Sequence, residues 1–437
     1  MDSGIRKNII IIGAGFAGLK LARMLNDHPA YSITLIDKNN FHQFQPLLYQ
    51  VAMANLDASN ISFPLRNIFK KSKNVSIRIA TVNQIKMATS SIETTCGNFT
   101  FDYLVLATGA VTNYFGNTSI EQNCLPMKST WEALQIRNML LLHFEEALSF
   151  KLKNVEKLLS VVIVGGGPTG VELSGALAEM KRDTLPDEYP ELDFSKMEVH
   201  LLEGSGKLLG NMSEVSSAKS KEYLEQMGVS VQLNTIVKSY NGKEVVLQNG
   251  QTLESYLVIW AAGVKGNAPS GLDESTFTKG SQVKTDIFNK VLGSENIFAV
   301  GDIAFVESDL YPKGFPQLAS VAIDQAANVA NNFIRMAAHQ SLKPYKYVNK
   351  GSMATVGRNK AVVDLAKPSL SFQGFFAWFI WMTLHLFLLI GFKNKLVVFI
   401  NWIYKYVTHS QSLSLLFEQI TRKRSIWDNA IAKPEIK

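Results

Sequence analysis

The 437-residue sequence predicts an α/β chain in which one strand–turn–helix unit occurs twice, the second copy inserted in the first, ahead of a C-terminal region of amphipathic helices. Three observations predict it. A glycine turn directly follows an apolar run of strand length near the N-terminus. A second such turn recurs in mid-chain behind another apolar run. Past about residue 345 the composition changes, and residues 374–392 contain no Lys, Arg, Asp or Glu.

In the first copy, residues 8–12 read as a buried strand, 13–18 as the turn, 19–25 as the start of a helix and 32–36 as the next strand. Gly13-Ala14-Gly15-Phe16-Ala17-Gly18 fits G-x-G-x-x-G, and Asp37 lies 24 positions after Gly13 at the end of the second strand. In such a turn the first glycine permits the tight bend, the second admits a pyrophosphate against backbone, and the third lets helix pack on strand. The helix N-terminus then offers amide donors and a positive dipole end to phosphates, and the acid accepts from ribose hydroxyls. A lone motif of this kind is weak; strand, helix and acid together make it specific.

The second copy runs from a strand at 158–164 through Gly165-Gly166-Gly167-Pro168-Thr169-Gly170 to a helix reaching about Met180 and a strand at 197–202. Its acid is Glu203, 38 positions after Gly165. A polar stretch at 181–195, with Pro186 and Pro190, accounts for the excess as an insertion. An acid at that strand end without a neighbouring Arg favours NADH over NADPH, whose 2'-phosphate would meet a negative charge. Glu172, near the start of the second helix, has two readings from position alone: a carboxylate stabilised by the helix dipole, or a group facing a nicotinamide. Further strands at 103–107, 257–260 and 296–300 each end in a turn, Thr108-Gly109, Ala262-Gly263 and Gly301-Asp302, and a helix is predicted at 319–336. The pattern is that of two Rossmann-like dinucleotide-binding domains.

The bulk properties are compatible. With 46% hydrophobic and 19% charged residues the chain is globular, and a net charge of +7 suits anionic ligands, nucleic acid or an anionic membrane equally. No basic stripe interleaved with aromatics occurs away from the tail, so no nucleic-acid partner is expected. Cys96 and Cys124 form no CxxC or Cys/His cluster; no thiol redox pair and no metal site are expected. The N-terminal apolar run reads as a first strand and not as a signal peptide, which makes the cytoplasm the default side.

Residues 374–392 are close to the minimum for a spanning helix. Thr383 and His385 in the middle, the flanking glycines and the clustered tryptophans favour interfacial helices instead. A second aromatic run at 396–406 follows Lys393-Asn394-Lys395, with rings expected at the headgroup level and lysines toward anionic lipid. Arg422, Lys423 and Arg424 add basic charge on the same side. His385 reads as packing or as a group near a ligand channel.

Several strings are similar to those of a known family within the flavoproteins that carry two dinucleotide-binding domains. They are residues 37–42 (DKNNFH), 44–52 (FQPLLYQVA), 165–172 (GGGPTGVE), 261–264 (AAGV) and 298–302 (FAVGD). The chain resembles type II NADH dehydrogenase, the single-subunit NADH:quinone oxidoreductase, over residues 8–405. The resemblance implies one FAD per chain, touched by Gly13, Ala14, Gly15, Phe16, Ala17, Gly18, Asp37, Lys38, Asn39, Asn40, Gln45, Ala107, Thr108, Gly109, Asp302 and Ala319, with Val82 reaching the adenine through its backbone. It implies NADH contacts at Gly165, Gly167, Pro168, Thr169, Gly170, Glu203, Ala262, Gly263 and Val264, and makes Glu172 the candidate catalytic group. On the quinone side the family's two helix glutamines are replaced by Ser320 and Asp324. Gln317 stands upstream as a substitute, and His385 is a further candidate.

The implied domains are 1–117 with 285–345 for FAD, 118–284 for NADH, and 346–437 for membrane anchoring. The implied activity is hydride transfer from NADH to FAD, then two-electron reduction of a membrane quinone without proton pumping. The implied setting is peripheral, on the cytoplasmic face of the cell membrane, with a homodimer as a candidate assembly. The alternative is a soluble-type FAD-dependent NAD(P)H reductase serving a protein acceptor.

Overall fold

The structure, a computed structural model, describes residues 6–149, 155–308, 311–408 and 414–416. Arg422, Lys423 and Arg424 lie outside the described residues. The chain forms two compact units: Met1–Gln43, Ser62–Val111 and Val264–Lys350 make one, and Phe44–Ile61, Thr112–Gly263 and Gly351–Lys437 the other.

The first unit is built on a five-stranded parallel sheet in the order Ile297–Ala299, Tyr103–Leu106, Lys7–Ile12, Tyr31–Asp37, Val75–Ile79. Its central strand carries Ile9 to Ile12 unbroken because both faces of a parallel sheet are covered, so every position is buried. The register pairs Ile12 with Ile36 on one side and Leu106 on the other, and Leu106 with Ala299. Four strands therefore end along one line, and the residues just past each end gather there. Helices Phe16–Met24 and Ala319–Ala337 pack together, the second presenting Val321, Ala326, Val329 and Phe333 at helical spacing.

The second unit repeats the plan in the order Leu125–Pro126, Leu257–Trp260, Val161–Val164, Val199–Leu202, Val229–Gln232, all parallel. The predicted strand at 158–164 is shorter than expected. It covers Val161–Val164, and Val155–Leu159 is a short helix, since a continuous apolar run does not by itself distinguish the two. The polar stretch at 181–195 begins inside helix Pro168–Asp183 and continues through the short helix Leu185–Glu188.

A three-stranded antiparallel sheet, Ser352–Gly357, Lys360–Leu365 and Leu370–Gln373, also belongs to this unit. It rests on helix Pro168–Asp183 with backbone against backbone: a Cβ added at Gly175 would lie 1.5 Å from the Val356 carbonyl oxygen. It is also tied through Asp364, whose carboxylate accepts from the Ser213 amide and from the hydroxyls of Ser213, Ser216 and Ser371. Burial opposes ionisation there, but these donors hold the carboxyl below the usual carboxylate range.

Helices Gly374–Leu388, of 15 residues, and Phe392–Thr408, of 17, close the unit. At 1.5 Å per residue the first is about 22 Å long, short of a bilayer core. Among the described residues no helix is long and apolar enough to cross a membrane. The aromatic residues of these helices do not all face outward as expected. Phe375, Phe376, Phe379, Phe387 and Phe392 are exposed, but Trp381 and Trp402 are buried. Helical periodicity turns Ala377, Trp381 and His385 to one inward face.

Gly175→Ala is expected to destabilise the protein by roughly 1–3 kcal/mol through overpacking against Val356. Gly210→Ala, where a Cβ meets nothing within 4 Å, is expected to be nearly neutral. Urea unfolding followed by tryptophan fluorescence compares them, and equal midpoints would contradict the contact.

Candidate functional site

At the strand ends of the first unit, Gly13 has φ +102° and an added Cβ would stand 2.3 Å from the Ala107 carbonyl oxygen. At Gly18 a Cβ would stand 1.8 Å from the Gly13 oxygen, so glycine is what lets helix and strand touch. At Gly15, by contrast, a Cβ would meet nothing within 4 Å, and the helix beginning at Phe16 has no side-chain cap. Open space thus faces an uncapped helix N-terminus, the arrangement that receives a phosphate. Asp37 closes the turn: Oδ2 accepts from the Ala14 amide at 2.6 Å and Oδ1 from the Asn39 amide at 2.7 Å. Burial nevertheless raises its pKa. His42, buried behind the turn, bonds the Ala14 carbonyl through Nδ1 at 2.9 Å, so Nδ1 carries the proton.

Thr108 and Gly109 follow the third strand, and the buried Thr108 hydroxyl has no hydrogen-bond partner among the described residues. After the fourth strand, Gly301 has φ +80°, where an added Cβ would stand 3.3 Å from the Cβ atoms of Ala17 and Ala322. The Asp302 carbonyl accepts from Gln317 Nε2 at 2.9 Å and Gln282 Nε2 at 3.1 Å. Lys38, Asn39 and Asn40 continue from Asp37, and Val82 opens strand Val82–Lys86.

The turn in the second unit reproduces this geometry. Gly165 has φ +110° with the Ala261–Ala262 peptide 2.7 Å from a would-be Cβ, Gly170 would clash with the Gly165 oxygen at 1.9 Å, and Gly167 faces open space. Helix Pro168–Asp183 starts there, again with no side-chain cap. Glu203 Oε2 accepts from the Gly166 amide at 2.6 Å and Oε1 from Ser205 at 2.7 Å, matching the bonds of Asp37. The Phe115 ring lies over Gly263, 2.8 Å from the position of an added Cβ.

Glu172 is buried on the same helix, and its Oε1 accepts from the Thr355 amide at 3.4 Å. Burial pushes the carboxyl up to about 8, offset in part by that amide and the Trp381 indole. It lines a cleft together with Tyr49, Gln50, Trp381, Trp402 and Lys405. Burial, then the Glu172 charge, hold the Tyr49 phenol well above its ordinary range. Lys405 Nζ sits 3.2 Å from Glu179 Oε2.

The expected quinone-side residues come from both units. Gln317, Ser320 and Asp324 belong to the first unit, where Asp324 pairs with Lys350 at 2.6 Å. His385 belongs to the second, stacked on Trp381 at 3.9 Å between ring centroids, with Nδ1 donating to the Trp381 carbonyl. Burial lowers it to about 4, so the ring is neutral. Gln45 also lies in the second unit, donating to the Lys128 carbonyl, whereas Val264 opens the returning segment of the first. Tyr49, Gln50, Thr355, Trp381 and Trp402 are not among the predicted site residues. The one cue to the tryptophans is their inward helical phase.

The family model described as pyridine nucleotide-disulphide oxidoreductase matches residues 7–326, and that of the NDH2 C-terminal domain matches 349–409. A type II NADH:quinone oxidoreductase of Mycobacterium tuberculosis is 35% identical over 418 residues, 91% of this chain and 87% of that protein. One from Staphylococcus aureus is 30% identical over 376 residues, 82% and 89%. Among solved structures, NDH2 from Plasmodium falciparum in complex with NADH has the same fold, with TM-score 0.86 at 21% identity over 94% of this chain and all of that one. By its matched sequence and fold, the chain belongs to the type II NADH:quinone oxidoreductase family.

Proposed function

We propose a division of labour for this FAD-dependent NADH:quinone oxidoreductase, in which the first unit holds FAD, the second receives NADH, and Glu172 manages a proton beside the cleft. The observation that supports it is the duplicated turn-and-acid geometry, one complete copy in each unit.

The residues of the first turn fit FAD. Gly15 leaves room and an uncapped helix N-terminus for its pyrophosphate, Asp37 can accept from ribose hydroxyls, and the orphaned Thr108 hydroxyl gains a partner when the site is filled. What FAD supplies when bound is a two-electron store between a hydride donor and a quinone. In the second unit, Gly167 and the start of helix Pro168–Asp183 cradle the NADH pyrophosphate. Glu203, its carboxylate held at the strand end by two amides, takes the ribose and repels a 2'-phosphate. The low-polarity pocket around Glu172 lets its carboxyl retain a proton near neutral pH. The neighbouring cleft lets that proton reach a reactant oxygen.

The exposed apolar residues of Gly374–Leu388 and Phe392–Thr408 form the membrane contact, and the protein sits peripherally on the cytoplasmic face, beside the NADH pool. Electron transfer proceeds without proton pumping.

Five measurements test this reading. Holoprotein bleached by anaerobic NADH should regain its yellow colour on addition of a soluble quinone; failure of every quinone to restore it would favour a protein acceptor. NADH should be preferred over NADPH in kcat/KM, and Glu203→Gln should narrow that preference by roughly tenfold. Glu172→Gln should lower quinone turnover by about a hundredfold. The same variant tests the proton balance. Because the folded carboxyl titrates near 8 and the unfolded one near about 4.3, the folded state holds the extra proton between them. Stability is therefore fullest below that window and declines as pH rises through it, and Glu172→Gln should flatten the decline in unfolding titrations. Finally, Phe387→Ser with Phe392→Ser should weaken sedimentation with anionic liposomes more than tenfold while sparing NADH oxidation by soluble acceptors.

A further inference from the structure

The short helix Leu48–Ala52 carries a hydrogen-bonded chain whose direction is dictated by chemistry. Trp402 Nε1 donates to Gln50 Oε1 at 2.7 Å, and Gln50 Nε2 donates to the Tyr49 hydroxyl oxygen at 2.8 Å. An indole nitrogen can donate but not accept, so the Gln50 amide must turn its oxygen to Trp402 and its nitrogen to Tyr49. An amide nitrogen likewise only donates, so the Tyr49 oxygen accepts and its own O–H points elsewhere. All three residues are buried, between 6% and 8% exposed, and all three line the cleft that Glu172 lines. Among the described residues the Tyr49 O–H finds no acceptor. A buried donor left without a partner costs about 1–3 kcal/mol, a deficit that an acceptor arriving in the cleft would remove.

We propose that Tyr49 binds a reactant, donating its hydroxyl proton to a carbonyl oxygen that enters the cleft, and that Gln50 and Trp402 are positioning residues that keep the proton turned that way. The inference rests on the reading of this cleft as the reaction site. Two reactants bring such a carbonyl, the quinone ring and the nicotinamide carboxamide. Without the indole donor the Gln50 amide can rotate, offer its oxygen to Tyr49, and draw the hydroxyl out of the cleft.

Steady-state kinetics of holoenzyme variants, with NADH and a soluble quinone varied in turn, test this. Tyr49→Phe is expected to raise the KM of one reactant roughly tenfold and leave the other unchanged, the affected one being the reactant whose carbonyl oxygen accepts from Tyr49. Trp402→Phe should raise the same KM, and add nothing in the Tyr49→Phe background. Gln50→Leu placed on top of Trp402→Phe removes the competing oxygen and should recover most of the loss, whereas a packing role predicts further loss. Unchanged KM values in Tyr49→Phe, an additive Trp402→Phe effect, or no recovery in the double variant would each overturn the proposal. Tyr49→Phe is close to isosteric and decides the matter alone if Trp402→Phe does not fold. If Glu172→Gln is impaired while Tyr49→Phe is not, only this inference fails; if Glu172→Gln is fully active, the reading of the cleft fails with it.

Discussion

Backbone contact between helix and strand is the constraint on which both units depend. At Gly18 and Gly170 a single added carbon would lie under 2 Å from the carbonyl oxygen of the first turn glycine, so each helix begins at a fixed height above its sheet. That height decides where the uncapped amides point and where Asp37 and Glu203 can reach them. Phosphate recognition is therefore a by-product of packing: the same close approach that seals the core leaves a ring of donors at the strand ends. The third contact of this kind, Gly175 against Val356, carries the principle to the C-terminal sheet and brings Thr355 within reach of Glu172.

The parts that were legible in the sequence are those where one residue type has one physical reason to be present. Gly13, Gly18, Gly165 and Gly170 are such residues, and so are the acids at the ends of the neighbouring strands and the unbroken apolar runs of the central strands. The parts that were not legible depend on contacts between distant segments. The sheet at 352–373 lies past the twice-repeated pattern, and its role emerges only from its seat on helix Pro168–Asp183. The tail's composition announced aromatics without their direction: the same tryptophans that suit a lipid headgroup also suit a pocket wall, and Trp381 and Trp402 are the second. Tyr49 and Gln50 sat inside a string valued for resemblance, where neighbouring apolar residues hid two polar side chains that meet only when the tail folds back on them.

The residues expected on the quinone side follow the same rule. Asp324 in place of a glutamine is matched by Lys350, a charge pair that spacing along the chain could not foretell. Gln325, one position on, accepts from the Gly301 amide at 2.7 Å and is buried. The helix thus keeps an amide side chain against the turn at Gly301, while the residue before it is ionic.

The apolar face that we propose as the membrane contact, on helices Gly374–Leu388 and Phe392–Thr408, is formed before any lipid arrives, because Ala377, Trp381, Val398 and Trp402 already anchor the opposite side in the protein. Adsorption to a bilayer then requires no folding of the attaching segment, and the ordering entropy that a disordered tail would lose on binding is absent. Attachment strength should track exposed area and lipid charge, and little else. A preformed surface of that kind can leave one membrane for another without unfolding.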